Sequence, residues 1–129
     1  MALVFYEYTK HIEDLAAITY IPARASAYRK RGFDHMALVA HKLSLLFQIP
    51  VVQTLFSKEQ QDQRALSRKQ RQANAQYMFE ARADAEGFYD KHILLIDDVF
   101  TTGATLYNAQ KCLEDQGFTQ VTCAVFARS

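Results

Sequence analysis

The sequence predicts an α/β domain, a mostly parallel sheet with helices on both faces. Three observations lead there. Short apolar runs alternate with stretches whose apolar residues recur at helical spacing, in the order α-β-α-β-loop-β-α-β. The run from Ile93 to Ile96 is apolar throughout rather than alternating, as a strand covered on both faces requires. The 129 residues, half of them hydrophobic, suffice for one core but not for two ordinary domains. A single domain over residues 1–129 is expected.

Each element has its own signal. Phe5, Tyr8, Ile12 and Leu15 predict a first helix over about residues 3 to 16. Ala17-Ile-Thr-Tyr-Ile21 reads as a buried strand stopped by Pro22. A basic stretch follows and Gly32 closes it; Phe33 just beyond reads as a core residue. Met36, Val39, Ala40, Leu43, Leu46 and Phe47 form a second helical stripe, which Pro50 ends. Val51 to Phe56 is the second strand. Residues 57–76 hold six glutamines, and up to Asn74 only Ala65 and Leu66 have core character. So long a polar segment in a small domain predicts a flexible functional loop, with a short surface helix after Ser67. Tyr77-Met-Phe79 predicts a brief strand, and Asp84 to Asp90 a turn around Gly87. His92 to Ile96 is a strand that ends in Asp97 and Asp98. Residues 101–105 turn into a third helix with the stripe Leu106, Ala109, Leu113 and Gly117 as its cap. Gln120 to Phe126 is the last strand.

The net charge of +1 hides an asymmetry. Arg24 to Arg31 and Arg64 to Arg71 each hold four basic residues and no acid, which leaves seven basic residues against 14 acids elsewhere. Two cationic surfaces on an acidic body suit a bound polyanion, although charge runs are also ordinary solvated faces. Apolar runs are too short to span a bilayer, and the start lacks the pattern of a signal peptide, so a cytoplasmic location is expected. Cys112 and Cys123, the two cysteines, lack metal-finger spacing and read as partly buried thiols. His11, His41 and His92 are scattered and read as surface or strand-edge residues. Ser26 has no evident His and Asp partners for a hydrolase triad.

The informative segment is Ile96-Asp-Asp-Val-Phe-Thr-Thr-Gly-Ala-Thr105. In parallel α/β sheets ligands bind beyond the carboxyl ends of the strands. Here that position carries two acids, then a turn of small hydroxyl residues opens a helix. Backbone N–H groups at a helix start form an anion site, and Gly103 lets the backbone approach a phosphate. Thr101, Thr102 and Thr105 add hydroxyl donors. Sugar hydroxyls or a hydrated divalent cation fit between a phosphate and two carboxylates. Either half alone is an ordinary turn or cap; joined in this order they read as a sugar phosphate cradle.

This segment resembles the 5-phosphoribosyl 1-pyrophosphate (PRPP) motif of type I phosphoribosyltransferases and matches it at every fixed position. Ile21-Pro22-Ala23-Arg24, with Arg29-Lys30-Arg31-Gly32-Phe33-Asp34-His35, is similar to the proline-led, arginine-rich stretch of the ComF family of competence-associated proteins. Gln63-Arg64-Ala65-Leu66-Ser67-Arg68, with Arg71 and Asn74, resembles that family's loop. Asp34 and His35 stand where the family stretch has Asn and Gln, and Arg24 about where a histidine is common. The family's amino-terminal zinc-binding cysteine cluster is absent. The chain therefore reads as a type I phosphoribosyltransferase-like core, with residues 1–16 as a reduced hood.

The resemblance implies a division of roles. Asp97 and Asp98 would be the catalytic acids, bonding the ribose hydroxyls. Thr101, Thr102, Gly103, Ala104 and Thr105 would hold the 5′-phosphate. Ala23 and Arg24 would face the pyrophosphate, and Arg64, Arg68 and Arg71 would reach it from a closing loop. Mg2+ would be bound through PRPP, with no direct protein ligand. Two classes stay open: a PRPP-binding, magnesium-dependent transferase linked to DNA uptake, and an inactive fold that binds single-stranded DNA or competence proteins. The acceptor, and whether turnover occurs, are not legible.

Overall fold

The computed structural model describes residues 1–23, 30, 32–57, 79–81, 87–100 and 104–128. Its elements are α1 (Ala2–Thr9), β1 (Leu15–Tyr20), α2 (His35–Phe47), β2 (Leu55–Ser57), β3 (Phe79–Ala81), β4 (His92–Phe100), α3 (Ala104–Gln116) and β5 (Gln120–Arg128). Strands β1, β4 and β5 form a parallel sheet with β4 in the centre. β2 and β3 form a separate antiparallel pair.

The apolar run of β4 is explained by its two covered faces. Ile93 and Leu95 join Ala17 and Ile21 on one face, packed against Ala109, Leu113 and Phe118 of the α3 region. Leu94 and Ile96 join Ile18 and Tyr20 on the other, packed against Phe5 of α1 and Met36, Val39, Ala40 and Leu43 of α2. All four β4 residues are fully buried. Each such side chain contributes about 1.5–3 kcal/mol of hydrophobic stabilisation.

The first helix is shorter than its periodicity predicts. It ends at Thr9, whose hydroxyl donates back to the Phe5 carbonyl at 2.5 Å. Asp14 then takes a left-handed conformation, φ 65°, which reverses the chain into β1. Leu15, expected as the last member of the helical stripe, is the first residue of β1 and pairs with His92. The predicted strand at 51–56 is also divided. Val51 makes a single parallel bridge to Ile18, and β2 begins only at Leu55. Thr54, fully buried, instead meets the Thr19 hydroxyl at 2.6 Å.

The helix ends follow local chemistry. Asp34 caps α2, accepting from the N–H groups of Met36 and Ala37 at 3.1 and 3.2 Å. Leu46, expected in the buried stripe of α2, is exposed. Gly117 ends α3 as expected. Its N–H donates to Glu114 and that of Phe118 to Leu113, the paired bonds of a Schellman cap. Gly117 sits at φ 131°, and a Cβ there would meet the Tyr89 ring at 3.1 Å. Phe33 is not a core residue. Gly32 at φ 78° turns the chain just before it, and Phe33 is 47% exposed. No described helix is long and apolar enough to cross a membrane.

Candidate functional site

Parallel pairing brings the carboxyl ends of β1 and β4 to one edge. Tyr20 pairs with Ile96, and the Ile21 N–H donates to the Ile96 carbonyl at 3.0 Å. The chain leaving β1 through Pro22 and Ala23 therefore starts beside Asp97 and Asp98. Two stretches that the sequence marks independently are brought together.

By strand alternation, Asp97 follows Ile93 and Leu95 toward the α3 side, and Asp98 follows Leu94 and Ile96 toward α1 and α2. Asp97 is buried, and its Oδ1 accepts the Asp98 N–H at 2.9 Å. Burial pushes the Asp97 carboxyl up to about 6. The Asp98 N–H opposes that rise, and the Asp98 carboxylate adds to it.

The strand does not stop at the carboxylates, as the sequence suggested. β4 runs on to Phe100, because β5 is equally long and continues the ladder through Val99–Ala127 and Phe100–Arg128. Thr101, Thr102 and Gly103 lie outside the described residues. Helix α3 opens at Ala104, with Thr105 half-buried in its first turn, so three residues join strand to helix. Arg24, Arg64, Arg68 and Arg71 also lie outside the described residues. So do 58–76 of the predicted flexible loop, its surface helix, and Tyr77 and Met78 of the predicted brief strand. The ends of that loop are placed: Ser57 pairs with Phe79 and Leu55 with Ala81, so the chain leaves and returns at one antiparallel pair. β3 packs against α3.

The site contains one residue whose role the sequence reading missed. Asp34, noted only as a departure from the family stretch, accepts the Ala23 N–H on Oδ2 at 2.9 Å while Oδ1 caps α2. An acid just before a helical stripe is a cap signal; its second contact, to a residue 11 positions earlier, has no sequence signature.

Among the described residues no group of three His, Cys, Asp or Glu stands close enough to hold a metal ion. Two carboxylates suit a hard cation that keeps waters and takes further oxygens from a phosphate. Cys112 and Cys123 are half-buried and form no disulfide; burial, and then Glu114, push the Cys123 thiol up. His11 and His41 are exposed, and His92 bonds Thr122 at 2.6 Å at the start of β4.

The central parallel strand with its acid pair, leading into a helix, defines a type I phosphoribosyltransferase fold. Solved structures agree on the fold. An allosteric regulatory enzyme of purine biosynthesis superposes with a TM-score of 0.63 at 16% identity, over 97% of this chain and 24% of that one. An adenine phosphoribosyltransferase gives 0.61 at 15% identity, over 98% and 64%. The chain belongs to the phosphoribosyl transferase domain family, whose model matches residues 30–129, and within it to the ComF proteins. Competence protein F of Haemophilus influenzae is 30% identical over 115 residues, 88% of this chain and 50% of that protein. Competence protein ComFC of Bacillus subtilis is 32% identical over 98 residues, 75% and 38%. The chain thus spans half or less of the length of these curated relatives.

Proposed function

We propose that this chain binds PRPP with magnesium at the carboxyl edge of β1 and β4 and serves a phosphoribosyltransferase-type reaction in DNA uptake. The observation that carries the reading is the placement of Asp97 and Asp98 on the central strand, beside the loop after β1, with three residues joining the end of that strand to a helix start. Asp97 and Asp98 would accept from the ribose hydroxyls. The residues from Thr101 to Thr105 would take the 5′-phosphate at the start of α3. Ala23 and Arg24 would face the pyrophosphate. The magnesium ion would neutralise the leaving pyrophosphate. The two carboxylates would oppose the positive charge that builds at the anomeric carbon. The loop from Gln60 to Asn74, whose flanking strands β2 and β3 pair, would close over the ligand with Arg64, Arg68 and Arg71. A cytoplasmic location belongs to this reading, since PRPP is a metabolite of the cell interior.

A second reading, single-stranded DNA held on the same basic surface, draws on the exposure of Phe33, which leaves that ring open to stack a base. Calorimetric titration with PRPP, with and without magnesium, separates the two. Replacing Asp97 and Asp98 together by Asn should weaken PRPP binding at least about tenfold, since charge-assisted contacts are worth roughly 1.5–3 kcal/mol each. Salt-sensitive DNA binding that is unchanged or tighter in the double variant, with no PRPP binding by the unaltered chain, would favour the module.

A further inference from the structure

We infer that Asp34 is a positioning residue for PRPP, fixing the backbone of the loop after β1 in its binding conformation. The inference rests on the reading that this loop faces the pyrophosphate. Three consecutive residues at the loop start are held. The Ile21 N–H is tied to the Ile96 carbonyl of β4. Pro22 has a fixed φ and is buried. The Ala23 N–H is tied to Asp34 Oδ2 at 2.9 Å. The other oxygen of the same carboxylate accepts from Met36 and Ala37 at the start of α2. Asp34 thus joins the loop to a helix, while Ile21 joins it to the strand that carries Asp97 and Asp98. The backbone from Ile21 to Ala23 is held by rigid elements on both sides. Such support is what a site needs to hold its contacts in place before the ligand arrives.

In this chain the two contacts use both oxygens of a carboxylate, where the family stretch has Asn. An ionised Asp is acceptor-only on both oxygens. Asn caps a helix as well as Asp does, but it offers one acceptor oxygen. With that oxygen on Met36 and Ala37, its NH2 group would face the Ala23 N–H, donor against donor. Charge alone predicts the opposite outcome for ligand binding. A negative group near a pyrophosphate site repels the ligand, so neutralising it should tighten binding unless it positions the loop.

The test compares the unaltered chain with Asp34→Asn and Asp34→Ala in three measurements: melting temperature, Ala23 amide hydrogen exchange, and magnesium-PRPP affinity by calorimetry. Asp34→Asn should melt closer to the unaltered chain than Asp34→Ala does, because the cap survives. Its Ala23 amide should exchange at least about tenfold faster, and its PRPP affinity should fall about tenfold, the scale of one charge-assisted bond. Asp34→Ala should lose affinity to a similar extent but melt lower, having lost the cap as well. Equal or tighter PRPP binding by Asp34→Asn, or an Ala23 amide that exchanges as before, would overturn the inference. Absence of PRPP binding by the unaltered chain would instead overturn the ligand reading. The Ala23 exchange would then alone decide whether Asp34 orders the loop.

Discussion

Asp97→Asn should stabilise the fold while it weakens the proposed PRPP binding, and the size of the gain should depend on pH. Asp97 is buried on the central strand, and its carboxyl is pushed from 3.8 to about 6. At about 1.4 kcal/mol per pH unit, the charged form would oppose folding by up to about 3 kcal/mol. The carboxyl keeps a small exposed surface near the carboxyl end of β4. Screening reduces the expected figure to about 1 kcal/mol. Asn keeps the acceptor for the Asp98 N–H and carries no charge. In a domain of this size the gain corresponds to roughly 4 °C in Tm. The folded-state value is raised, so the folded chain takes up its proton before the unfolded chain does. The gain from Asn is therefore full above about pH 6, shrinks as pH falls, and vanishes below 3.8. Calorimetric melting of both chains without ligand, at pH 8, 6 and 4, reads this directly. A variant no more stable at pH 8, or a difference equal at pH 4 and pH 8, would refute the reasoning.

Two further outcomes follow from the packing. Gly117→Ala should destabilise by about 1–3 kcal/mol, because φ 131° disfavours any L side chain and the Tyr89 ring stands 3.1 Å from the new Cβ; a urea midpoint equal to that of the unaltered chain would contradict this. Thr19→Val strands the buried Thr54 hydroxyl and should cost about 1–3 kcal/mol. The double change with Thr54→Val should recover much of that loss in a denaturation cycle, and additive costs would show that the two hydroxyls do not depend on each other.

What the sequence conveyed, and what it did not, has a common physical origin. Patterns that repeat within one element were legible. The apolar run before Asp97 predicted a two-faced strand, the stripe from Met36 to Leu43 predicted α2, and Gly117 predicted the end of α3. Choices decided between elements were not. Leu15 continues a helical spacing, yet pairing with His92 takes it into β1. Val51 to Phe56 reads as one strand, yet Val51 makes only a bridge to Ile18, Thr54 meets Thr19, and the pairing with β3 begins at Leu55. The strand past Asp98 depends on the length of β5, which the local residues do not encode. Phe33 looks apolar enough for a core, but the turn at Gly32 carries it outward. At the site the acid pair was visible as a motif, whereas the double duty of Asp34 depends on a contact to Ala23 that only the folded chain creates.

Asp97 gives the functional reading a physical basis that the motif alone lacks. Four buried apolar residues precede it, and another at position 97 would extend the same packing toward α3. The fold instead holds a carboxyl whose charge it resists, with the Asp98 backbone N–H donating to it. A carboxyl that served only the packing would be better replaced by an amide or a hydrocarbon. Its charge becomes an advantage only when a donor or a cation arrives at the strand edge, and sugar hydroxyls with a hydrated magnesium ion are the partners that the proposed ligand would bring. Stability and binding should therefore respond to Asp97→Asn in opposite directions, as they do where a fold carries a strained group for its ligand.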